Sequence, residues 1–314
     1  MSQLSGSQPA NAATETLKRV KAKFHSLLPE DGYLETKIPG MHLYRKSSLS
    51  TCTSTQYEPA LLLFVGGEKQ IDVGNRQMIC SEGTLLLTSV DLPATSQITK
   101  ATAEDPVLCL AFRLDMPMVR EILATQDLSG APQASTSPRG MTLSRATAEV
   151  LAAFERLLDV LTTPEHIDFL GDLIQREILY RLLLGAEGRH LRAIATLGEQ
   201  SNRTARAVAW LRDNYSKPLR VEELASLAQM GVSTFHHHFR TLTSMSPLQY
   251  QKQLRLHVAR ERMLTEGLDA SSAAYEVGYE SPSQFNREYR RFFGQPPMRD
   301  VKARRNLGEL AMAE

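Results

Sequence analysis

Cysteine is scarce in this 314-residue sequence. Cys52, Cys80 and Cys109 are odd in number, far apart and without CxxC spacing. That excludes a disulfide framework and a zinc finger, and it fits a reducing, cytoplasmic setting. Buried strand thiols and oxidant-sensing thiols both remain open readings for them. No apolar run approaches the ~20 residues of a membrane span, so no membrane partner is expected. Met1 to Ala13 lacks a basic stretch leading into an apolar one, and reads as a disordered tip rather than a signal peptide. Histidine is missing altogether between Leu61 and Phe112. A two-histidine, one-carboxylate metal site cannot be built from that stretch, and His42 stands alone before it. No cofactor is expected.

Net charge is also small, +1, but it is unevenly spread. From residue 200 onward there are 17 Lys and Arg against 12 Asp and Glu, whereas residues 1–199 carry 19 against 23. A basic C-terminal third beside an acidic remainder points to a polyanion-binding module joined to something else.

Three regions follow a polar N-terminal segment at 1–30. Short β-branched or apolar runs recur over about 33–113: Leu61–Val65 before Gly66-Gly67, Gln70–Val73 before Gly74-Asn75, Leu85–Val90 and Val107–Phe112. Such spacing predicts a small β-barrel or sandwich. The pattern then becomes helical, with a short helix at Met116–Ala124 and a loop at Ser129–Gly140. A helical hairpin follows over about 143–185, one arm carrying Leu143 to Leu161 and the other Phe169 to Leu183. Its apolar stripe either closes the N-terminal domain, 31–190, or pairs two subunits as a homodimer. Residues 189–202 read as a linker, and 305–314 as a tail.

Residues 203–304 are helical, and two tracts in them share a layout. In the first, about 221–242, Val221–Leu227 forms a helix with Glu222 and Glu223 at its positive end. Gln229-Met230-Gly231 turns the chain, and Val232–Leu242 forms a second helix. Phe235, Phe239 and Leu242 face inward, which leaves Ser233, His236, His237 and Arg240 outward. In the second tract, about 271–293, Ser271–Glu276 is followed by the turn Val277-Gly278-Tyr279. Ser281-Pro282 then starts a helix as N-cap and first helical residue. Phe285, Tyr289 and Phe292 make its buried stripe. Ser283, Gln284, Asn286, Arg287, Arg290 and Arg291 point outward or flank. The connector from Ser246-Pro247 to about Leu264 spans ~27 Å, close to the ~34 Å between successive major-groove faces. One chain could therefore address an asymmetric site on double-stranded DNA. The consecutive His236-His237-His238 lie ~100° apart around a helix and cannot all chelate one ion. Trp210 reads as a core residue of an amphipathic helix.

Two stretches carry a family resemblance. Ser233-Thr234-Phe235-His236-His237-His238-Phe239-Arg240 with Met245-Ser246-Pro247-Leu248-Gln249-Tyr250-Gln251-Lys252 is one. Val277-Gly278-Tyr279-Glu280-Ser281-Pro282-Ser283-Gln284-Phe285, followed by Arg287, Phe292, Gly294 and Pro296-Pro297, is the other. Both halves and their spacer resemble the AraC/XylS family of bacterial regulators. The resemblance implies an all-α pair of helix-turn-helix units whose second helices enter the major groove. By position it makes Ser233, His236, His237, Ser283, Gln284 and Arg287 base-reading candidates. Arg240, Asn286, Arg290 and Arg291 become phosphate candidates, which position without specifying sequence. Many family members carry Arg where His236 and His237 stand here.

The stretches Tyr57-Glu58-Pro59-Ala60, Gly66-Gly67-Glu68-Lys69, Gly74 and Ser89-Val90-Asp91-Leu92-Pro93 are similar to the cupin-like sensor domain of one AraC-type subgroup. The resemblance implies a small-molecule effector, RNA polymerase as a partner, and activation as the outcome. The competing reading is a cupin-type enzyme or DNA-repair protein carrying a DNA-binding domain. The missing barrel histidines and the lack of a clustered cysteine site speak against it.

Overall fold

The computed structural model describes residues 7–128, 130–131, 139–186 and 188–306. Most of the Ser129–Gly140 loop and of the 305–314 tail lies outside these residues.

Helix α1 (Ser7–Leu27) corrects the first expectation, since the polar segment is largely helical. Its apolar residues are few but correctly spaced, and Leu17, Val20 and Phe24 are buried. Nine strands follow: β1 (Gly32–Glu35), β2 (Met41–Lys46), β3 (Thr53–Tyr57), β4 (Ala60–Gly66), β5 (Glu68–Val73), β6 (Arg76–Ser81), β7 (Thr84–Thr88), β8 (Leu92–Lys100) and β9 (Val107–Arg113). The expected strands fall on β4, β5, β7 and β9. Helix α2 (Met116–Thr125) and strand β10 (Met141–Arg145) come next. Leu143 therefore lies on a strand, and the hairpin begins later than expected, with α3 (Ala148–Val160) and α4 (Asp172–Leu184).

The strands form two antiparallel sheets, ordered β1-β2-β9-β4-β7-β10 and β3-β8-β5-β6. Side chains alternate across each strand, so each sheet has an inner and an outer face. Leu61, Leu63, Leu85, Leu87, Leu108 and Leu110 on the first sheet's outer face pack under α1, α3 and α4. Arg19 to Glu155 and Lys23 to Asp159 tie α1 to α3 at its rim. The inner faces meet in a second core containing Phe64, Ile71, Cys80, Leu86 and Cys109.

The second arm of the hairpin has two faces. Ile174, Ile178, Leu182 and Leu183 are buried, whereas Phe169, Leu173, Tyr180 and Leu184 are exposed. A turn of wider π geometry at Ile167–Gly171 precedes α4, and the expected single stripe is split accordingly. The stretch read as a linker is also mostly helical, with α5 (Gly188–Ala195) and the start of α6 (Gln200–Asp213). Its Leu191 and Ile194 are buried.

Six helices complete the described residues: α7 (Val221–Leu227), α8 (Val232–Thr243), α9 (Pro247–Thr265), α10 (Ala270–Glu276), α11 (Pro282–Phe293) and α12 (Pro297–Asn306). Among the described residues no helix is long and apolar enough to cross a membrane.

Candidate nucleic-acid interface

The first unit is α7, a turn and α8. Gln229 takes a left-handed backbone, φ 55°, which lets the chain reverse before Gly231. Phe235 and Phe239 are fully buried with ring centroids 5.5 Å apart, and Phe239 meets Tyr250 of α9 edge-on at 5.7 Å. With that stripe fixed inward, Ser233, His236, His237 and Arg240 are exposed on the opposite side. His238 is partly covered, and burial beside His237 and Arg203 holds its pKa below the ordinary value.

The second unit, α10 with α11, repeats the design. Asp269 caps α10 by accepting from the amides of Ser271 and Ser272. Gly278 sits at the turn with φ +87°, and a Cβ there would collide with the Ser216 carbonyl. Phe285 and Tyr289 are buried, and the Tyr289 hydroxyl donates to Asp300 of α12 at 2.8 Å. Phe292 is only half-buried and leans on His257. Ser281 occupies the N-cap position but its side chain makes no capping bond, so proline carries that helix start. Ser283, Gln284, Asn286, Arg287, Arg290 and Arg291 are all exposed. The Gln284 amide donates to Glu288 at 3.1 Å, and Glu288 also takes Lys252 and the Tyr279 hydroxyl. Gln284 is thus held in place before any ligand arrives. Arg240, Arg287, Arg290 and Arg291 make no ion pair within the described residues, in contrast to Arg262 and Arg304.

Helix α9 holds the units apart. Ser246 and Gln249 close a reciprocal capping box at its start, and its 19 residues give a rod about 28 Å long. Arg255 and Gln251, which sequence patterning passed over, anchor it. Arg255 donates to the carbonyls of Tyr215, Ser216, Lys217 and Gly278 at 2.7 to 3.0 Å. Gln251 donates to Tyr215 and Lys217. One cation on α9 therefore joins the end of α6 to the turn of the second unit. Its only sequence signal was a basic residue on the inner face of a helix.

The N-terminal domain grips the same rod. The Tyr250 hydroxyl donates to the Asp91 carbonyl at 2.9 Å, and Arg212 of α6 pairs with the Asp91 carboxylate at 3.0 Å. Ser54 on β3 lies 2.7 Å from His257 Nε2, and Arg260 donates to the Ser54 carbonyl. The Gly140 amide donates to the Leu242 carbonyl at 2.8 Å. His257 is buried beside Arg260 and Arg304, and burial first, then those cations, drive its pKa well below the ordinary value.

Residues 37–190 match the family described as AraC-type transcriptional regulator N-terminus, and residues 224–303 match a helix-turn-helix domain. The HTH-type transcriptional activator RhaS of Yersinia pestis (strain Pestoides F) is 26% identical over 159 residues, covering 51% of this chain and 58% of that protein. The HTH-type transcriptional regulator ArgR of Pseudomonas aeruginosa is 24% identical over 155 residues, 49% of this chain and 47% of that protein. The chain thus spans about half the length of these relatives. Two crystal structures share the fold. ToxT from Vibrio cholerae O395 has a TM-score of 0.52 at 8% identity, covering 83% of this chain and 96% of that one. Unsaturated fatty acid bound wild-type ToxT from Vibrio cholerae strain SCE256 has 0.52 at 9%, covering 87% and 97%. With an N-terminal domain and a helix-turn-helix domain both matched in order on one chain, the protein belongs to the AraC-type family of transcriptional regulators.

Proposed function

We propose that this regulator reads two neighbouring major-groove segments with α8 and α11, and activates transcription in response to a small-molecule effector in its barrel. One observation carries the reading. Two helices expose uncompensated polar and cationic faces, and the connector between them is bonded to the sensor strands. Ser233, His236, His237, Ser283, Gln284 and Arg287 are the base readers, and Arg240, Asn286, Arg290 and Arg291 hold phosphates. A shift of β3 or of the Asp91 corner on effector binding moves Tyr250 and His257 on α9, which is how one site biases the other.

Activation is supported by the activator name of the RhaS relative, and RNA polymerase is then the partner in a cytoplasmic setting. A second copy of the chain is the occupant proposed for the stripe of Phe169, Leu173, Tyr180 and Leu184. Sedimentation velocity of a Phe169→Glu, Leu173→Glu variant tests it; an unchanged dimer contradicts it. The function itself is tested by titrating labelled duplexes selected from a random pool with the full chain. Affinity should fall steeply with salt and change when effector is added. Salt-insensitive or absent binding overturns the reading.

A further inference from the structure

Lys69 of β5 sits in register with Cys80 of β6 and Ile98 of β8, and both neighbours are buried on the inner face. By alternation the Lys69 side chain projects into the barrel as well. Its Nζ lies 5.7 Å from the ring of Tyr44 on β2, which belongs to the opposite sheet. The ammonium is therefore between the two sheets. Burial opposes the charge, while Tyr57, Tyr44 and Cys109 act to keep it; the balance holds the pKa above its ordinary value.

None of those neighbours can neutralise it. Burial raises the Tyr57 phenol, and it pushes the Cys80 and Cys109 thiols up to about 12, so all three are uncharged at neutral pH. Lys69 makes no ion pair among the described residues, and the neighbouring Glu68 pairs with Lys100 instead. The Tyr57 hydroxyl, on a side chain 7% exposed, makes no well-formed hydrogen bond, although Lys69 and Ser96 lie near enough to act on it. Around this polar pair the inner wall is apolar. Leu62 and Leu143 pack against that wall and stay only partly buried.

An ammonium without a counter-charge and a phenol without a well-formed hydrogen bond, both inside an apolar barrel, are costly unless a ligand completes them. From this we infer that the barrel binds a small organic carboxylate with an apolar body, its carboxylate received by Lys69 and Tyr57. The inference rests on the effector-responsive reading proposed above and names the chemistry of that effector. A carboxylate suits the site because one cation and one hydroxyl satisfy a single negative charge.

The experiment uses the full chain with sodium octanoate and sodium benzoate, each against its neutral amide, by calorimetry and thermal shift. The carboxylates should bind and raise the melting temperature, and the amides should bind at least about tenfold more weakly, as expected for loss of one charge-assisted hydrogen bond. Lys69→Met should abolish that preference and raise the melting temperature of the ligand-free protein. Tyr57→Phe should weaken carboxylate binding without loss of fold. Failure of both carboxylates to bind, equal binding of the amides, or carboxylate binding that survives Lys69→Met would each overturn the assignment. The effector reading fails separately. A carboxylate that binds through Lys69 but leaves DNA affinity unchanged supports this site and contradicts the regulatory link. A neutral compound that changes DNA affinity in the Lys69→Met variant does the reverse.

Discussion

Arg212 and Asp91 are 121 positions apart in sequence and 3.0 Å apart in space, joining the first helix before the DNA-reading units to the corner between β7 and β8. Asp91 is 5% exposed, and burial lifts its pKa despite the facing guanidinium. The same residue offers its carbonyl to Tyr250, so one corner of the N-terminal domain holds both α6 and α9.

Removing Arg212 leaves that carboxylate buried beside a gap. Because the Arg212 side chain is 45% exposed, solvent screens part of the loss. Arg212→Ala should cost about 1 kcal/mol of stability in denaturant unfolding. Adding Asp91→Asn should then cost little more, since the two changes remove one interaction. Fully additive losses in a double-mutant cycle would contradict the coupling.

Arg287 and Arg290 are expected to differ in kind. Arg287→Ala should weaken the specific site by about 1–3 kcal/mol and relax base preference there. Arg290→Ala should weaken all duplexes alike and lower the salt slope by about 1. Competition binding against random duplexes measures both, and equal losses for Arg287→Ala on specific and random DNA would remove it from the base readers.

Gly278 tests the placement of the second turn. Its φ of +87° and its contact with the Ser216 carbonyl leave no room for a side chain. Gly278→Val should displace α10 against α11, destabilise that unit by more than about 1–3 kcal/mol and abolish specific binding in an anisotropy titration. Full retention of binding would show that the turn is not where the reading needs it.

Acid should loosen the protein at two imidazoles. Burial, then Arg189, Arg139 and Arg76, lower the His190 pKa to about 4, and His257 lies well below its ordinary value. Both are neutral when folded, and both bind protons near pH 6.5 once unfolded. Their stability is thus complete above about pH 6.5 and is lost as pH falls. For His190 the loss reaches about 3 kcal/mol near pH 4. Melting temperatures taken from pH 7 to pH 4 should fall, and His257→Phe should flatten part of the decline.

Much of the reading apparatus was legible because it is local. Phe235 with Phe239, and Phe285 with Tyr289, repeat within one helix, while Gly231, Gly278, Pro247 and Pro282 punctuate the ends. Periodicity and turn chemistry are enough for such elements. The first helix is not legible because Leu17, Val20 and Phe24 are only three anchors in a polar run, and their partners lie far along the chain, on β4 and α3. Leu143 was misplaced because a strand residue and a helix residue look alike in a short apolar stretch. Lys69, Asp91, Arg255 and His257 carry no local pattern; their roles depend on which distant chain segment folds against them.

Chemical protection of a selected duplex by the full chain tests the central geometry most directly. The account predicts two protected major-groove segments on one face of the DNA, about one helical turn apart. Substitution of His236 and His237 should erase one segment, and substitution of Gln284 and Arg287 the other. A single protected segment, or loss of both from either pair, would contradict a two-headed reader built on α8 and α11.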